Sequence, residues 1–315
     1  MRAIEIDNPW LRACILPDVG AKILDLIWKP ADRNLLWRNA RIAPITYPVE
    51  GVFDNYWCGG WDDCFPTCDA CAHAGEQYPN LGELRSISWT VDSLDAGAAT
   101  LSAFGPISPV HVVKSVKLDP GAPILRVHQS ITNIGPKPLD FLWGTHPALN
   151  VSAGAILHIP ARTAIVGESS CAAFGSPGQS YDWPLLRTAA AEMDMSRVLP
   201  PQSAEFCGHY AVDLQAGWYA VEDSVTGSGF LLKFPLESCP VLWLWLNYGG
   251  YRGHYHVVIE PWTGHPVSLA EAVRQGKNRR LEAGAVFEVG IVATAFDRPD
   301  TWRTALARVQ DEVSS

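Results

Sequence analysis

The chain has 315 residues, with 24 Lys and Arg against 33 Asp and Glu, which gives a formal net charge of −9. Only 18% of the residues are charged, whereas 13 are Trp. An acidic chain repels the phosphate groups of nucleic acids and of anionic membranes. We therefore expect no nucleic acid and no membrane as a partner, and we expect a small, mostly uncharged molecule as the ligand.

Short β segments separated by turn residues run through most of the chain. Strands are predicted over residues 12–16, 22–28, 110–118 and 124–132, each followed by a group of Pro, Gly, Asp or Asn. No change in composition marks a linker, so we predict one antiparallel all-β domain spanning residues 1–315. Acidic residues near Met1 stand where a signal peptide needs an apolar stretch, which predicts a soluble, cytoplasmic protein.

Two short helices are predicted near the end of the chain. Ser268 and Glu271 have the spacing of a capping box and predict a helix that ends near Gln275. A second helix is predicted over residues 299–313, because its apolar side chains recur at helical spacing. We expect both helices to decorate a sheet protein.

Four of the eight cysteines lie close together in the first quarter of the chain, followed by His73. They are Cys58, Cys64, Cys68 and Cys71. Zinc sites usually contain two close pairs separated by a longer loop, and this spacing differs from that pattern. We therefore expect reduced, partly buried thiols and no metal, although metal binding by this cluster stays open.

The segment from residue 241 to residue 262 carries the most informative pattern. Two strand-like runs flank a Gly-rich turn at residues 249–253, which is typical of a β-hairpin. Because side chains alternate along a strand, one face of the pair is aliphatic, and the other gathers polar and aromatic groups. The latter are Trp243, Trp245, Asn247, His254, His256 and Glu260.

Indoles beside hydrogen-bonding groups suit a sugar, whose C–H faces stack on aromatic rings while its hydroxyls need donors and acceptors. The alternative is a second buried layer in which His254 and His256 bond to backbone groups. Three further segments contain candidate residues. His146 follows an apolar strand end, Asp62 and Asp63 are adjacent in an aromatic loop, and Tyr78 and Arg85 precede a strand. Adjacent carboxylates bind hydroxyls or cap a turn.

Taken in order, these motifs resemble the galactose mutarotase-like family of aldose 1-epimerases. The resemblance rests on Gly60-Trp-Asp-Asp-Cys-Phe-Pro-Thr67, Leu81-Gly-Glu-Leu-Arg85, Thr145-His146-Pro147 and Ile259-Glu260-Pro261. It implies a β-supersandwich with a sugar in an open groove on the concave face. It also implies that Glu260 is the general base for the anomeric hydroxyl and that His146 is the general acid for the ring oxygen. Such chemistry needs no metal or nucleotide cofactor.

The resemblance and the strand pattern together indicate a set of substrate-binding residues. We expect Arg85 to hold hydroxyls or a substrate carboxylate through its planar guanidinium, and three indoles to form an apolar wall. The predicted substrate-binding residues are Arg85, Asp62, Asp63, Trp243, Trp245, Asn247, His254, His256, Trp262 and Tyr78.

One position departs from the family pattern, which expects His where this chain has Leu81. His73, Tyr78, His254 or His256 are candidates to restore the lost hydrogen bond. The departure favours an aldose 1-epimerase-like isomerase of an uncommon or modified sugar. The alternatives are a same-fold enzyme for another proton transfer, such as epimerisation or elimination next to a carbonyl, and a non-catalytic sugar-binding protein. We expect a monomer or a homodimer.

Overall fold

The computed structural model describes residues 1–168, 170–189 and 191–310. The chain divides into two compact units. Unit 1 comprises Met1–Pro147 and Trp262–Ile291, and unit 2 comprises Ala148–Pro261 and the residues from Val292 onward. Antiparallel strands dominate both units, which confirms the all-β prediction. In the described part of the chain, no helix has the length and apolar character needed to cross a membrane.

Unit 1 contains two antiparallel sheets, with the strand orders β1-β2-β3-β5-β13 and β8-β9-β10-β11. Its strands are β1 (Ile4–Asp7), β2 (Leu11–Leu16), β3 (Lys22–Trp28), β4 (Arg33–Asn34), β5 (Trp61–Cys64), β6 (Cys71–His73), β7 (Glu76–Tyr78), β8 (Thr90–Leu94), β9 (Ala98–Phe104), β10 (Val110–Leu118), β11 (Ile124–Asn133), β12 (Leu139–Phe141) and the start of β13 (Gly144–Leu149). Strand β4 pairs with β3, and β6 pairs with β7.

The core of unit 1 follows from the period-2 alternation of its strands. In β10, Val110, Val112, Val116 and Leu118 are buried and alternate with less buried residues. The same alternation places Lys114 in the buried row, with no exposed surface. A buried ammonium is costly unless a carboxylate pairs with it. The strand pattern therefore requires an acidic partner for Lys114 on the facing sheet.

Unit 2 is also built from antiparallel strands, with the orders β23-β22-β19-β15-β16 and β14-β20-β21, the latter extended by the second half of β25. The strands are β14 (Ile156–His158), β15 (Ala161–Val166), β16 (Ser180–Asp182), β17 (Leu185–Arg187), β18 (Glu192–Asp194), β19 (Glu205–Leu214), β20 (Trp218–Glu222), β21 (Gly229–Lys233), β22 (Val241–Tyr248) and β23 (Tyr255–Trp262). Strands β24 (Arg279–Leu281) and β25 (Val286–Phe296) complete the chain order, and β24 pairs with β12.

Both predicted helices are present but differ in detail from the prediction. Helix α1 (Leu269–Arg274) begins after Ser268, whose side chain makes no capping hydrogen bond, while the Thr67 hydroxyl accepts the Leu269 N–H. Helix α2 (Trp302–Arg308) begins three residues later than predicted, because the Thr301 side chain caps it. The end predicted at residue 313 lies outside the described residues. Single 3₁₀ turns occur at Lys29–Ala31, Phe53–Asn55, Ala172–Phe174 and Pro201–Ser203.

Candidate active site

His146 and Asp62 lie directly opposite each other on neighbouring strands of unit 1. The register of β13 and β5 pairs His146 with Asp62 and Thr145 with Asp63. Both side chains are buried, with 5% of His146 and 1% of Asp62 exposed. Because alternate residues of a strand face opposite sides, His146 and Asp62 share one side of the sheet, and Thr145 and Asp63 share the other.

Lys22 neutralises the Asp62 carboxylate. Its Nζ lies 2.9 Å from Asp62 Oδ2 and donates a hydrogen bond to the Gly59 carbonyl at 2.8 Å. Burial is the largest single influence and acts to lower the pKa of Lys22, but the charge and hydrogen bond of Asp62, with smaller contributions from Cys58 and Tyr47, together raise the pKa above its usual value, so the ammonium stays charged. Asp62 Oδ1 has no hydrogen-bond partner among the described residues.

Two aromatic rings enclose His146. The Phe53 ring centroid lies 6.1 Å from the imidazole centroid and the Trp57 centroid 5.4 Å, and both rings meet the imidazole edge to face. The Trp57 indole N–H also donates to Asp62 Oδ2 at 3.3 Å. Burial in this apolar wall lowers the pKa of His146 to about 4, with the Asp62 carboxylate opposing the shift. The imidazole is therefore neutral at pH 7 in the free protein.

Asp63 has different surroundings from its neighbour Asp62. Its carboxylate accepts hydrogen bonds from Lys114 Nζ at 2.6 Å, Gln129 Nε2 at 2.5 Å and the Thr145 hydroxyl at 2.8 Å. Lys114 thereby finds the acidic partner that the alternation of β10 requires. Protein groups thus occupy both oxygens of Asp63, and the structure separates it from the side of the sheet that carries His146.

Arg85 is almost completely buried and lies against the same aromatic segment as His146. Its guanidinium carbon is 5.3 Å from the Tyr47 ring centroid and 5.4 Å from that of Phe53. Nε donates to the Asn80 carbonyl at 2.6 Å, and one Nη donates to the carbonyls of Val49 and Gly51. The other nitrogen, Nη1, has no hydrogen-bond partner in the described parts of the chain.

Tyr78 and Leu81 precede Arg85 in the sequence, and both side chains are buried. The Tyr78 hydroxyl accepts a hydrogen bond from Ser108 Oγ at 3.3 Å, so it is placed among the groups that surround the buried Glu83 carboxylate. Leu81 adopts a left-handed backbone, with φ of 58°, which is uncommon for a residue with a side chain. Gly82 follows it, and a Cβ there would lie 2.0 Å from the Phe65 carbonyl oxygen. This tight turn requires glycine.

Trp262 lies flat against Gly144 in unit 1. A Cβ at Gly144 would lie 2.3 Å from the indole. Beside it, the Thr263 backbone N–H donates a hydrogen bond to the Trp143 carbonyl. Trp262 has no exposed surface. Its indole therefore forms part of the packed wall around β13, and no face of it is open to solvent.

In unit 2, Glu260 is buried on β23 with 1% of its surface exposed. Its carboxylate contributes to raising the pKa of the Tyr219 hydroxyl well above its usual value, after the larger effect of burial. A strand that alternates faces carries His256 and Glu260 on the same side of β23. Glu260 thus lies in a low-dielectric environment with a phenol in its field.

The two indoles of β22 differ in exposure. Trp243 packs at 4.5 Å from the Tyr210 ring and against Gly167, and only 7% of it is exposed. Trp245 is half-buried and lies 5.5 Å from each of the Phe206 and Tyr251 rings. Of the two, Trp245 is the one with accessible aromatic surface.

The remaining polar candidates of unit 2 are buried near the Gly-rich turn. His254 and His256 have ring centroids 6.0 Å apart, and both side chains are enclosed. The Asn247 amide donates to the Tyr251 carbonyl at 3.0 Å and accepts the Tyr251 N–H at 3.1 Å. Asn247 therefore holds the turn through both ends of its amide.

Three of the four clustered cysteines, Cys58, Cys64 and Cys68, are buried, and Cys71 is half-buried. Within residues 1–168, 170–189 and 191–310, no three His, Cys, Asp or Glu side chains are grouped as metal ligands would be. His73 instead lies 3.3 Å from the Asp140 carboxylate.

Solved structures with the same chain trace come from several bacteria. The Slr1438 protein from Synechocystis sp. PCC 6803 superposes with a TM-score of 0.71 at 18% identity, over 94% of this chain and 96% of its own. A galactose mutarotase-like protein from Lactobacillus casei gives 0.67 at 18% identity, over 94% and 100%. A galactose mutarotase related enzyme from Lactobacillus acidophilus gives 0.67 at 15% identity, over 94% and 98%. No family model matches the sequence.

The chain has the galactose mutarotase-like fold. The sequence identities to these three structures are 15–18%, and at this level the likeness shows the fold alone. Within the galactose mutarotase-like fold, the structure adds residues that sequence reasoning missed: Lys22, Tyr47, Phe53 and Trp57 in unit 1, and Tyr219 in unit 2. Lys22 left a usable signal, since a single cation in the apolar strand of residues 22–28 needs a buried carboxylate.

Proposed function

We propose that the protein is a carbohydrate isomerase of the aldose 1-epimerase type, acting on an uncommon or modified sugar, with His146 as general acid and Glu260 as general base. The observation that carries the proposal is the surroundings of His146, a buried imidazole enclosed by aromatic edges and opposite a carboxylate. The names of the Lactobacillus proteins, a galactose mutarotase-like protein and a galactose mutarotase related enzyme, support the same reaction class.

Glu260 opens the sugar ring in this proposal. Its carboxylate removes the proton from the anomeric hydroxyl, the electron pair forms the C1 carbonyl, and the bond between C1 and the ring oxygen breaks. A carboxylate in a low-dielectric environment is a stronger base than one in water, which suits this step. Rotation about the C1–C2 bond and closure on the other face of the carbonyl return the proton and give the opposite anomer.

His146 delivers a proton to the ring oxygen as that bond breaks. The imidazole must carry the extra proton at this moment, although burial keeps it neutral in the free protein. Two interactions favour the protonated form in the complex. Asp62 lies opposite His146, and a sugar ring oxygen would accept the imidazole N–H. An ion pair with Lys22 holds the Asp62 carboxylate on the same side of the sheet as His146.

Some of the remaining predicted residues are proposed to contact the sugar, and others are proposed to support the structure. Arg85 and the free oxygen of Asp62 supply a donor and an acceptor for the ligand, and Trp245 supplies a stacking surface. His254 and His256 are proposed as further hydroxyl partners. We propose packing roles for Trp243 and Trp262, because other protein atoms cover their indole rings. We propose structural roles for Asp63, Tyr78 and Asn247, because their polar atoms already hydrogen-bond to groups of the protein.

Anomer exchange measured by saturation-transfer NMR over a panel of sugars tests the proposal. We expect Glu260→Gln and His146→Ala each to lower the exchange rate by at least about a hundredfold, the usual contribution of a general acid or base. The matched controls are Glu5→Gln and His128→Ala, at exposed positions, which should leave the rate unchanged. Full activity of Glu260→Gln would refute its assignment as the base.

The same experiment in D2O separates the alternatives. Incorporation of deuterium at C2 would identify epimerisation or elimination next to a carbonyl instead of mutarotation. Sugar binding seen by calorimetry, without anomer exchange or deuterium incorporation, would identify a non-catalytic sugar-binding protein. Deuterium appearing only at hydroxyl groups, with rapid anomer exchange, is the result that we expect.

A further inference from the structure

The described chain buries three cations, and only one of them has no carboxylate partner. Lys22 pairs with Asp62 and Lys114 pairs with Asp63. The described contacts of the Arg85 guanidinium are three backbone carbonyls, the rings of Tyr47 and Phe53, and the Tyr47 hydroxyl, with no carboxylate among them. Buried charges in proteins are normally paired, so Arg85 is the exception.

One nitrogen of the Arg85 guanidinium also lacks a hydrogen-bond acceptor, which indicates where an anion would bind. Nη1 is enclosed and has no hydrogen-bond acceptor among residues 1–168, 170–189 and 191–310. A buried donor left unsatisfied destabilises the fold, and it persists where a ligand supplies the missing acceptor. The acceptor that also cancels the charge of a guanidinium is an anionic oxygen.

Arg85 lies within reach of a molecule held at His146. The Phe53 ring contacts both residues, with its centroid 5.4 Å from the Arg85 guanidinium and 6.1 Å from the imidazole centroid. The guanidinium carbon and the imidazole centroid are therefore at most about 12 Å apart, a distance that a hexose with its substituents and a hydrogen bond at each end can span. A substituent on a sugar at His146 can therefore meet Arg85.

We infer that the substrate is a sugar acid, whose carboxylate binds the Nη1 side of Arg85. This inference rests on the proposed function and gives its modified sugar a chemical class. One guanidinium matches the single charge of a carboxylate, whereas a phosphate carries close to two charges and usually recruits more than one cation. The other buried cation on this side of the sheet, Lys22, is already neutralised by Asp62.

Access to Arg85 requires the aromatic cover to move. Tyr47 and Phe53 belong to a segment that has no strand or α-helix between residues 35 and 60, and the nearby side chains of Ile45 and Val52 are exposed. A local opening of such a segment costs less than separating paired strands. The substrate carboxylate would then accept the hydrogen bond of Arg85 Nη1, beside the ring of Phe53.

Matched sugar pairs provide the test. Anomer exchange is measured for glucose against glucuronate and for galactose against galacturonate, with glucose 6-phosphate as a third anion. We expect kcat/KM for the hexuronate to exceed that of its neutral partner by about tenfold to a hundredfold, the range of a charge-assisted hydrogen bond. Arg85→Met should bring the ratio close to one, Arg85→Lys should retain part of it, and Arg12→Met at an exposed position should leave it intact.

Each other outcome overturns a defined part. Equal exchange of both members of each pair by the wild-type protein refutes the sugar-acid substrate and leaves the isomerase proposal standing. Faster exchange of glucose 6-phosphate than of glucuronate refutes the carboxylate in favour of phosphate. If no sugar is exchanged, the isomerase proposal fails, and calorimetry decides the rest: hexuronate binding that Arg85→Met abolishes supports the anion site, and no binding refutes it.

Discussion

Burial of His146 makes the stability of the protein depend on pH in a predictable direction. The pKa of the imidazole falls from 6.5 to about 4 on folding, because the enclosing rings exclude water. Between these two values the unfolded chain binds a proton that the folded chain refuses. The free energy of unfolding therefore decreases as the pH is lowered from 6.5 towards 4. Above pH 6.5 the imidazole is neutral in both states, and its burial carries no such penalty.

The size of the effect follows from the two pKa values. At pH 5 the imidazole is mostly protonated in the unfolded chain and mostly neutral in the folded one, which costs about 2 kcal/mol relative to pH 7. His209 has the same direction of shift, with its pKa lowered to about 4 by burial, and adds a separate contribution. A variant that lacks one imidazole should lose only the share of that imidazole.

Urea unfolding of the wild-type protein and of His146→Gln at pH 7 and at pH 5 measures this share. We expect the decrease between the two pH values to be smaller in the variant by about 2 kcal/mol. His128→Gln, at an exposed position, serves as the control and should behave as the wild type does. If His146→Gln and the wild-type protein lose the same free energy between pH 7 and pH 5, the imidazole is not held neutral by burial.

Two further predictions concern stability. Lys22→Met leaves the buried Asp62 carboxylate without its cation and should lower the free energy of unfolding by about 3 to 5 kcal/mol, and the additional change Asp62→Asn should recover part of the loss in the same urea experiment. Recovery of nothing would contradict the pairing. Gly144→Ala places a methyl group 2.3 Å from the Trp262 indole and should cost about 1 to 3 kcal/mol by overpacking, measured as a lower thermal midpoint; an unchanged midpoint would contradict the packing.

The strands were predictable because the alternation of side chains reports which face is buried. Strand β10 has the bounds that the sequence predicts, and β11 exceeds its prediction by one residue. Helix α1 was predictable as a helix, but its capping was not, since the hydroxyl that accepts the Leu269 N–H comes from Thr67, about two hundred residues earlier. Contacts at that separation have no local signature.

The candidate site was predictable in its chemistry more than in its assignments. Adjacent Asp62 and Asp63 look equivalent in the sequence, and only their strand partners distinguish them, since one faces Lys22 and the other Lys114. Asn247 matches the pattern of a substrate-binding amide, but the turn after β22 uses both ends of it. Side chains that satisfy local backbone groups cannot be told from ligand-binding ones by spacing alone.

The back-to-back carboxylates of β5 also fix the register in which that strand can enter the sheet. A shift of β5 by one residue would bring Trp61 to Lys22 in one direction, or Cys64 to Lys114 in the other. Either shift would leave one of the two lysines buried without an anion, which would strongly destabilise the misaligned fold. Two carboxylates on successive residues, which point to opposite faces of the sheet and each meet a buried lysine, thus select the one alignment that brings Asp62 opposite His146.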